Sequence, residues 1–246
     1  MKNISLQLTG KTILDNVSLL IESGSTHVIL GPSGAGKSTI LKVILGLLKV
    51  DKGKVIIDGE DISSINGNEV LGIRKKMGVV FQGNALFDSL NVAENTAYFL
   101  SDFSNDTEEQ INKKVKKTLS FVNLDGTENL YPDQLSGGMK KRLAIARALA
   151  IDPQIILFDE PTTGLDPINS KAILDLIKRL KNMGTTSVIV THILNDAIMI
   201  GDVLTVINDG RIVASGSTKE ILQSNNQFVK DFFYEVYHDI SFIKQS

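Results

Sequence analysis

The sequence contains no cysteine and no tryptophan, and it has only three histidines and five prolines among 246 residues. Without cysteine the chain forms neither disulfides nor thiolate metal sites, which suits a reducing compartment. The histidines, His27, His192 and His238, are too scattered to suggest a zinc site. No long basic run accompanies the formal net charge of −2, so nothing favours binding to nucleic acid or to an anionic membrane.

Long apolar segments are also missing. Residues 1–5 lack the apolar core of a signal peptide, and the longest apolar-rich stretch, residues 40–50, is interrupted by Lys42 and Lys49. We therefore expect no segment to span a bilayer. With 42% hydrophobic and 22% charged residues, the composition is that of a globular protein built as one large domain or as a domain with an inserted lobe.

A glycine-rich motif stands at residues 31–38, which read Gly-Pro-Ser-Gly-Ala-Gly-Lys-Ser and fit G-x-x-x-x-G-K-[ST]. The motif follows a β-branched apolar run at 26–30 and precedes an apolar-periodic stretch at 39–48, so its context is strand, loop, helix. Glycines let successive backbone N–H groups turn inward, and the helix N-terminus presents its positive dipole end to the same anion. We predict that this phosphate loop binds a nucleotide, with Lys37 reaching the β- and γ-phosphates and the Ser38 hydroxyl coordinating Mg²⁺.

Two carboxylates, Asp159 and Glu160, end the hydrophobic run that starts at residue 155. They are expected at the carboxyl end of a strand, the edge where open α/β sheets bind ligands. Alone, such a pair is typically a solvated strand end or a helix cap. The phosphate loop upstream favours a catalytic interpretation, in which Asp159 holds Mg²⁺ and Glu160 polarises the attacking water.

Hydrophobic patterning predicts an α/β fold. A β-rich opening leads into a helical region at about 84–150, and strands then alternate with a helix, which implies parallel pairing with a crossover. The predicted strands cover 4–8, 17–21, 28–30, 54–57, 77–81, 155–158, 187–190, 203–207 and 211–214. The last two are joined as a hairpin around Asn208-Asp209-Gly210, and the predicted helices include 107–121 and 170–181.

The motifs together resemble those of the ATP-binding-cassette (ABC) ATPases over residues 4–217. In chain order, the Walker A, Q-loop, signature, Walker B, D-loop and H-loop motifs are matched by residues 31–38, Gln82, residues 135–139, Asp159 with Glu160, residues 164–166 and His192. The resemblance implies a P-loop NTPase core, an ABC cassette, with an N-terminal antiparallel β-subdomain and an inserted helical subdomain. It gives an ATPase domain at 1–217, the helical subdomain at about 84–150 and a C-terminal helical tail at 218–246.

The resemblance also implies how the site is completed. Two cassettes pair head to tail, so that the Ser136-Gly137-Gly138 helix start of one chain caps the γ-phosphate that Lys37 of the other chain holds. Gln82 would contact Mg²⁺ and the water and carry movement to the helical lobe, and His192 would contact the γ-phosphate. The resulting nucleotide-binding residues are Gly31, Pro32, Ser33, Gly34, Ala35, Gly36, Lys37, Ser38, Thr39, Ser136, Gly137 and Gly138, the metal ligands are Ser38, Gln82 and Asp159, and the catalytic residues are Lys37, Gln82, Glu160 and His192.

Residues 81–92 and 139–142 look like those of the ATPases of Mla/Mce-type lipid transporters. That resemblance implies an ATP- and Mg²⁺-dependent homodimer on the cytoplasmic face of the inner or plasma membrane, driving a permease and an MCE-domain protein that move phospholipid. The apolar residues 85–87 either receive a coupling helix of the permease or belong to the core of the helical lobe. The ATPase of an amino-acid or other small-molecule importer shares all catalytic motifs and stays an alternative. A non-transport ABC ATPase usually carries two cassettes or a long coiled-coil insertion, and this chain has neither.

Two aromatic features stand apart from the motifs. No aromatic residue precedes Phe81, so the adenine-stacking ring expected near Leu8 or Thr9 is missing, and we expect weak selection of the base. The tail, by contrast, concentrates aromatic residues at spacings typical of an amphipathic helix, which either docks onto its own domain or contacts a partner. These residues are Phe228, Phe232, Phe233, Tyr234, Tyr237 and Phe242.

Overall fold

The computed structural model describes residues 1–63, 68–104 and 106–234, and these residues form two compact units. The first unit takes in the described parts of Met1–Val70 and Val188–Ser246, and the second unit is Leu71–Ser187. The division falls inside helix α2 (Asn68–Arg74) and inside strand β9 (Thr186–Thr191).

The first unit is rich in strands. In addition to β9 they are β1 Lys2–Leu8, β2 Lys11–Val17, β3 Thr26–Leu30, β4 Lys52–Lys54, β5 Ile56–Ile57, β6 Glu60–Asp61, β10 Val203–Asn208 and β11 Arg211–Ser217. β1 is the middle strand of an antiparallel sheet ordered β2-β1-β4, and β5 and β6 form a small antiparallel pair. The strands β11, β10, β3 and β9 lie side by side in that order, with β10 parallel to β3 and antiparallel to β11.

The hairpin β10–β11 is confirmed, and its turn explains the sequence signal. Asn208 pairs with Arg211, which leaves Asp209 and Gly210 as a two-residue loop, and both have left-handed φ values, 46° and 73°. A loop of two left-handed residues matches the right-handed twist of the flanking strands, and Asp-Gly is a favoured pair for it.

Two predicted strands of the first unit are wrong in their limits. The strand predicted at 17–21 lies earlier in the chain, at Lys11–Val17, because Leu8 of β1 pairs with Lys11 across a two-residue turn; beyond Val17, Leu19 exchanges backbone hydrogen bonds with Met1. The strand predicted at 54–57 is split between β4 and β5. At the split, the N–H of the buried Val55 donates to the Ser63 hydroxyl, 2.6 Å away, instead of to a neighbouring strand.

Helices of the first unit are α1 Lys37–Ile44, α7 Leu194–Ile200, α8 Thr218–Leu222 and α9 Gln227–Phe232. In the tail, Val229 and Phe233 are fully buried, the rings of Phe228 and Phe232 stack with centroids 5.8 Å apart, and α9 lies against β11. The described part of the tail therefore packs on its own unit. Tyr237, His238 and Phe242 lie outside the described residues.

The second unit joins two parallel strands to a group of helices. β7 (Met77–Val80) pairs with β8 (Ile155–Asp159), with Val80 opposite Phe158. The helices are α3 Val92–Phe103, α4 Glu108–Phe121, α5 Gly137–Leu149 and α6 Pro167–Asn182, and a 3₁₀ turn covers Pro132–Gln134. α6 begins before the predicted residue 170, because Asp166 caps it and proline suits its first position.

Buried apolar residues fill both units. In the first unit all five residues of β3 are buried, which is typical of a strand covered on both faces. In the second, α5 is buried on all sides from Leu143 to Ala148, α6 buries one apolar side, and α4 buries only Val115 and Leu119. Over the described ranges, no helix combines the length and apolarity that crossing a membrane requires.

Candidate functional site

The phosphate loop joins β3 to α1 in the first unit, as predicted. Gly34 and Gly36 have φ values of 81° and 102°, the left-handed region that L side chains rarely adopt. Gly36 is the N-cap of α1, and as a glycine it offers no side-chain acceptor to the first turn of the helix. A hydrogen bond of 3.2 Å from the Gly210 N–H to the Ala35 carbonyl ties the loop to the β10–β11 turn.

Lys37 lies inside this loop. Its side chain is buried, and its ammonium group donates to the carbonyl oxygens of Gly31 at 2.7 Å and Pro32 at 3.0 Å. Ser33 and Gly34 at the tip are exposed, and among the described residues no heavy atom, apart from Gly34 and its two chain neighbours, lies within 4 Å of the place where a Cβ on Gly34 would sit. An inward cation, a helix N-terminus and an open tip fit a polyphosphate chain.

The two described histidines of this unit, His192 and His27, have different surroundings. His192 directly follows β9 and is exposed. His27 is buried within β3, with its Nε2 atom 2.8 Å from the Thr205 hydroxyl, and burial lowers its pKa to about 4. His27 is therefore a structural residue, since a neutral imidazole buried inside the sheet has no access to a ligand.

Asp159 and Glu160 stand where β8 ends in the second unit. Asp159 is half-buried, whereas Glu160 is buried and accepts a hydrogen bond of 2.9 Å from the Thr163 hydroxyl. Glu160 also has a left-handed φ of 50°, a conformation that costs a non-glycine residue on the order of 1 kcal/mol. The surrounding structure thus holds the backbone of Glu160 in a conformation that glutamate does not favour.

Gln82 leaves the same edge of the second unit as Asp159. Val80 and Phe158 are register partners in parallel strands, so the residues that follow them emerge at one edge. The Gln82 side chain is exposed, and its backbone carbonyl accepts a hydrogen bond of 3.0 Å from the Lys141 ammonium.

The Ser136-Gly137-Gly138 cluster opens α5. The Ser136 hydroxyl accepts a hydrogen bond of 3.3 Å from the N–H of Met139, which makes Ser136 the N-cap. Ser136 and Gly137 are exposed, but Gly138 is buried, and a Cβ on it would lie 2.1 Å from the Asn169 side-chain oxygen.

Asn169 in turn is held by the D-loop residue Asp166. The Asp166 carboxylate accepts from the Ile168 and Asn169 N–H groups at 3.0 Å each and from the Asn169 side-chain amide at 2.6 Å. These bonds, led by the one from the side-chain amide of Asn169, lower the pKa of Asp166. The start of α5 and the start of α6 are therefore packed together.

The sequence interpretation missed several buried polar residues of the second unit. Lys141 and Arg147 on α5 are 2% and 5% exposed and donate to backbone carbonyls of the segment that contains Gln82. Asn95 is fully buried and makes four hydrogen bonds with the backbone of residues 87–91. A signal was available for Lys141, because it stands at helical spacing among apolar positions of α5.

The apolar residues 85–87 are partly covered within their own unit. Ala85 is exposed, Leu86 and Phe87 are half-buried, and the Phe87 ring lies 4.2 Å from that of Tyr98, centroid to centroid. Tyr98 keeps 37% and Phe81 keeps 40% of their surfaces exposed, so an apolar surface remains beside this segment.

Possible metal ligands are of mixed type. In the described part of the chain, no group of three or more His, Cys, Asp or Glu side chains could hold a metal ion. Ser38, Gln82 and Asp159 offer a hydroxyl, an amide and a carboxylate. Oxygen donors of this kind suit Mg²⁺, which typically binds one or two carboxylates together with substrate phosphates and water.

A strand, a glycine loop closed on a lysine and a helix define a nucleotide-binding P-loop protein. The family model described as ABC transporter matches residues 14–163. An intermembrane phospholipid transport ATP-binding protein, MlaF of Haemophilus influenzae, is 39% identical over 94% of this chain and 88% of its own length. A methionine import ATP-binding protein, MetN of Haemophilus ducreyi, is 38% identical over 97% of this chain and 71% of its own length.

Among solved structures, the dimeric ATP-binding cassette MJ0796 bound to ADP and phosphate matches with a TM-score of 0.81 and 36% identity. The match covers 88% of this chain and 97% of that one. The chain belongs to the ABC transporter family, and it is the ATPase subunit of such a transporter. The predicted fold class and ATPase activity are thereby confirmed.

Proposed function

We propose that this ATPase powers phospholipid transport of the Mla/Mce type. The observation that carries the proposal is the 39% identity to a phospholipid transport ATPase over 94% of the chain, together with the likeness of residues 81–92 and 139–142 to that group. The methionine import relative matches at 38%, so the alternative is a small-molecule importer.

The first unit would hold the nucleotide. Lys37 reaches the β- and γ-phosphates by exchanging the carbonyls of Gly31 and Pro32 for phosphate oxygens, and the α1 N-terminus donates its N–H groups. The other loop positions, 31–36 and Thr39, shape the cradle. His192, exposed after β9, contacts the γ-phosphate.

Ser38, Asp159 and Gln82 would hold Mg²⁺, which neutralises phosphate charge when it is bound. Glu160 accepts a proton from the attacking water and directs it in line with the γ-phosphate. Its hydrogen bond from Thr163 and its fixed backbone position orient the carboxylate. Gln82 orders the water from the exposed end of its side chain.

Two copies of the chain would complete the site. Ser136, Gly137 and the N-terminus of α5 in one protomer cap the γ-phosphate bound by the other, and their exposure leaves them accessible for this contact. The cassette MJ0796 was solved as a dimer with bound ADP and phosphate, which supports the same arrangement here. Closure on ATP and opening after hydrolysis then do work on a permease.

The permease would dock at the apolar surface that includes Phe81 and Tyr98. An MCE-domain protein is the further partner that a phospholipid system implies, and the ATPase would sit on the cytoplasmic face of the membrane. The molecule that the complex transports would then be a phospholipid.

The test is to purify the chain with its native permease and place the complex in vesicles that contain a fluorescent phospholipid. We expect Mg-ATP to drive transfer of the lipid to acceptor vesicles, and Glu160→Gln to abolish that transfer. Methionine uptake or ATPase stimulation by methionine, without lipid transfer, would contradict the phospholipid assignment and favour the importer.

A further inference from the structure

The segment that follows β7 in the second unit, residues 81–87, has an unusual backbone. Asn84 and Ala85 both have left-handed φ values, 63° and 50°, although neither is glycine. Within the described part of the chain, the buried side-chain oxygen of Asn84 has no hydrogen-bond partner. A left-handed backbone at two consecutive non-glycine residues persists only where the surrounding structure imposes it.

Two buried cations of α5 provide that constraint. Lys141 donates to the carbonyl oxygens of Phe81 at 3.3 Å and Gln82 at 3.0 Å. Arg147 donates to those of Asn84, at 3.1 Å, and Ala85, and its guanidinium lies 5.5 Å from the centre of the Phe87 ring. α5 therefore binds four carbonyls of one short segment.

Burial makes these contacts costly to form and costly to lose. Desolvation lowers the pKa of both side chains, and the nearby Asp159 carboxylate partly opposes this for Lys141. An apolar side chain would fill the same space without that desolvation, so packing alone does not account for a lysine here. What a lysine adds is a fixed position for the backbone of residues 81 and 82.

Lys141 also stands little more than one helical turn after Ser136. A displacement of the α5 N-terminus, where the second protomer's nucleotide would be capped, therefore carries the Lys141 ammonium with it. The backbone of Gln82 follows because its carbonyl is bound to that ammonium.

We propose that Lys141 is a positioning residue that couples the start of α5 to Gln82, and that Arg147 holds the remainder of the segment in place. The inference rests on the proposed function, since it assigns Gln82 to the water and the metal. Loss of Lys141 then lowers the rate of the chemical step and leaves nucleotide binding in the first unit intact.

The experiment is a double-mutant cycle on the full chain, with kcat measured per nucleotide-binding site and the ATP Kd measured separately. Lys141→Met, which keeps a chain of similar length, should lower kcat about tenfold or more while the Kd changes less than about twofold. In a Gln82→Ala chain the same substitution should change kcat by less than about twofold, because its effect passes through Gln82.

Arg179→Met is the control for loss of a cation that binds a backbone carbonyl. The exposed Arg179 on α6 donates to the carbonyl of Phe121 at 3.1 Å and lies 4.2 Å from the centre of the Phe121 ring, and Phe121 is not a predicted site residue. We expect its kcat to stay within about twofold of wild type. Should Lys141→Met yield no soluble protein, Lys141→Leu, which also lacks a donor, enters the same cycle.

Multiplicative losses in the double variant, or a lower melting temperature with unchanged kcat per site, would overturn the inference and leave the proposed function standing. A Gln82→Ala chain with wild-type kcat would instead contradict the proposed role of Gln82, and this inference with it.

Discussion

The buried His27 should make the stability of the protein depend on pH in a measurable way. Its imidazole lies inside β3, and a chain of hydrogen bonds runs from it to the Thr205 hydroxyl, at 2.8 Å, and on to Ser215, at 2.7 Å. Its pKa is lowered from 6.5 to about 4, because burial disfavours the charged ring. The native state therefore binds this proton less readily than the unfolded chain does.

The sign and size of the change in unfolding free energy with pH follow from the difference in the His27 pKa between the native and unfolded states. The stabilising contribution of the neutral ring is fully present above pH 6.5 and is lost as pH falls from 6.5 towards 4. The complete loss amounts to about 3 kcal/mol, and about 2 kcal/mol of it is lost by pH 5.

The assay compares urea unfolding of the wild-type chain and His27→Gln at pH 7.5, 6.5, 5.5 and 5. Gln keeps a polar group for Thr205 but does not ionise, and His192 and His238 are present in both chains, so their contributions cancel. We expect the difference in unfolding free energy between the two proteins to shift by about 2 kcal/mol in favour of the variant between pH 7.5 and 5. A difference that stays constant within about 0.5 kcal/mol would refute the reasoning.

Three further predictions concern the base, the signature glycine and a buried amide. With no aromatic residue before Phe81, GTP should be hydrolysed nearly as well as ATP; a preference for ATP of about tenfold or more in kcat/KM would contradict this. Gly138→Ala should lower the melting temperature, since its Cβ would meet Asn169, and Asn169→Ala in the same chain should restore it; additive losses would show that the clash is not the cause. Asn95→Ala should lower the unfolding free energy by about 3 kcal/mol, because it leaves buried backbone groups unpaired. Thr96→Val removes one hydrogen bond within α3 and should cost about 1 kcal/mol. Equal losses in the two variants would contradict this explanation.

Local signals in the sequence were sufficient where function depends on consecutive residues. The phosphate loop, the turn at Asp209-Gly210 and the carboxylates after β8 were predicted because each needs particular residue types side by side. The strand predicted at 17–21 was wrong because the turn at residues 9–10 pairs Lys11 with Leu8 and so places the strand earlier, which residues 17–21 do not encode.

The contacts around Gln82 were not predictable for a related reason. Lys141 and Arg147 bind backbone carbonyls about sixty residues away in sequence. Because every residue has a backbone carbonyl, the sequence does not show which residues accept these hydrogen bonds. The available signal for these contacts was the presence of positive charges at inward-facing positions of α5. The left-handed backbone of Glu160 was equally hidden, because glutamate is not a residue that favours it.

We propose that Glu160 acts on water within a nucleotide site that two copies of the chain share. The most direct test of this proposal is light scattering of Glu160→Gln with Mg-ATP, together with its rate of hydrolysis. We predict a nucleotide-dependent dimer and a kcat at least about 100-fold below wild type. A variant that binds ATP yet remains a monomer, or that hydrolyses ATP at the wild-type rate, would contradict the account.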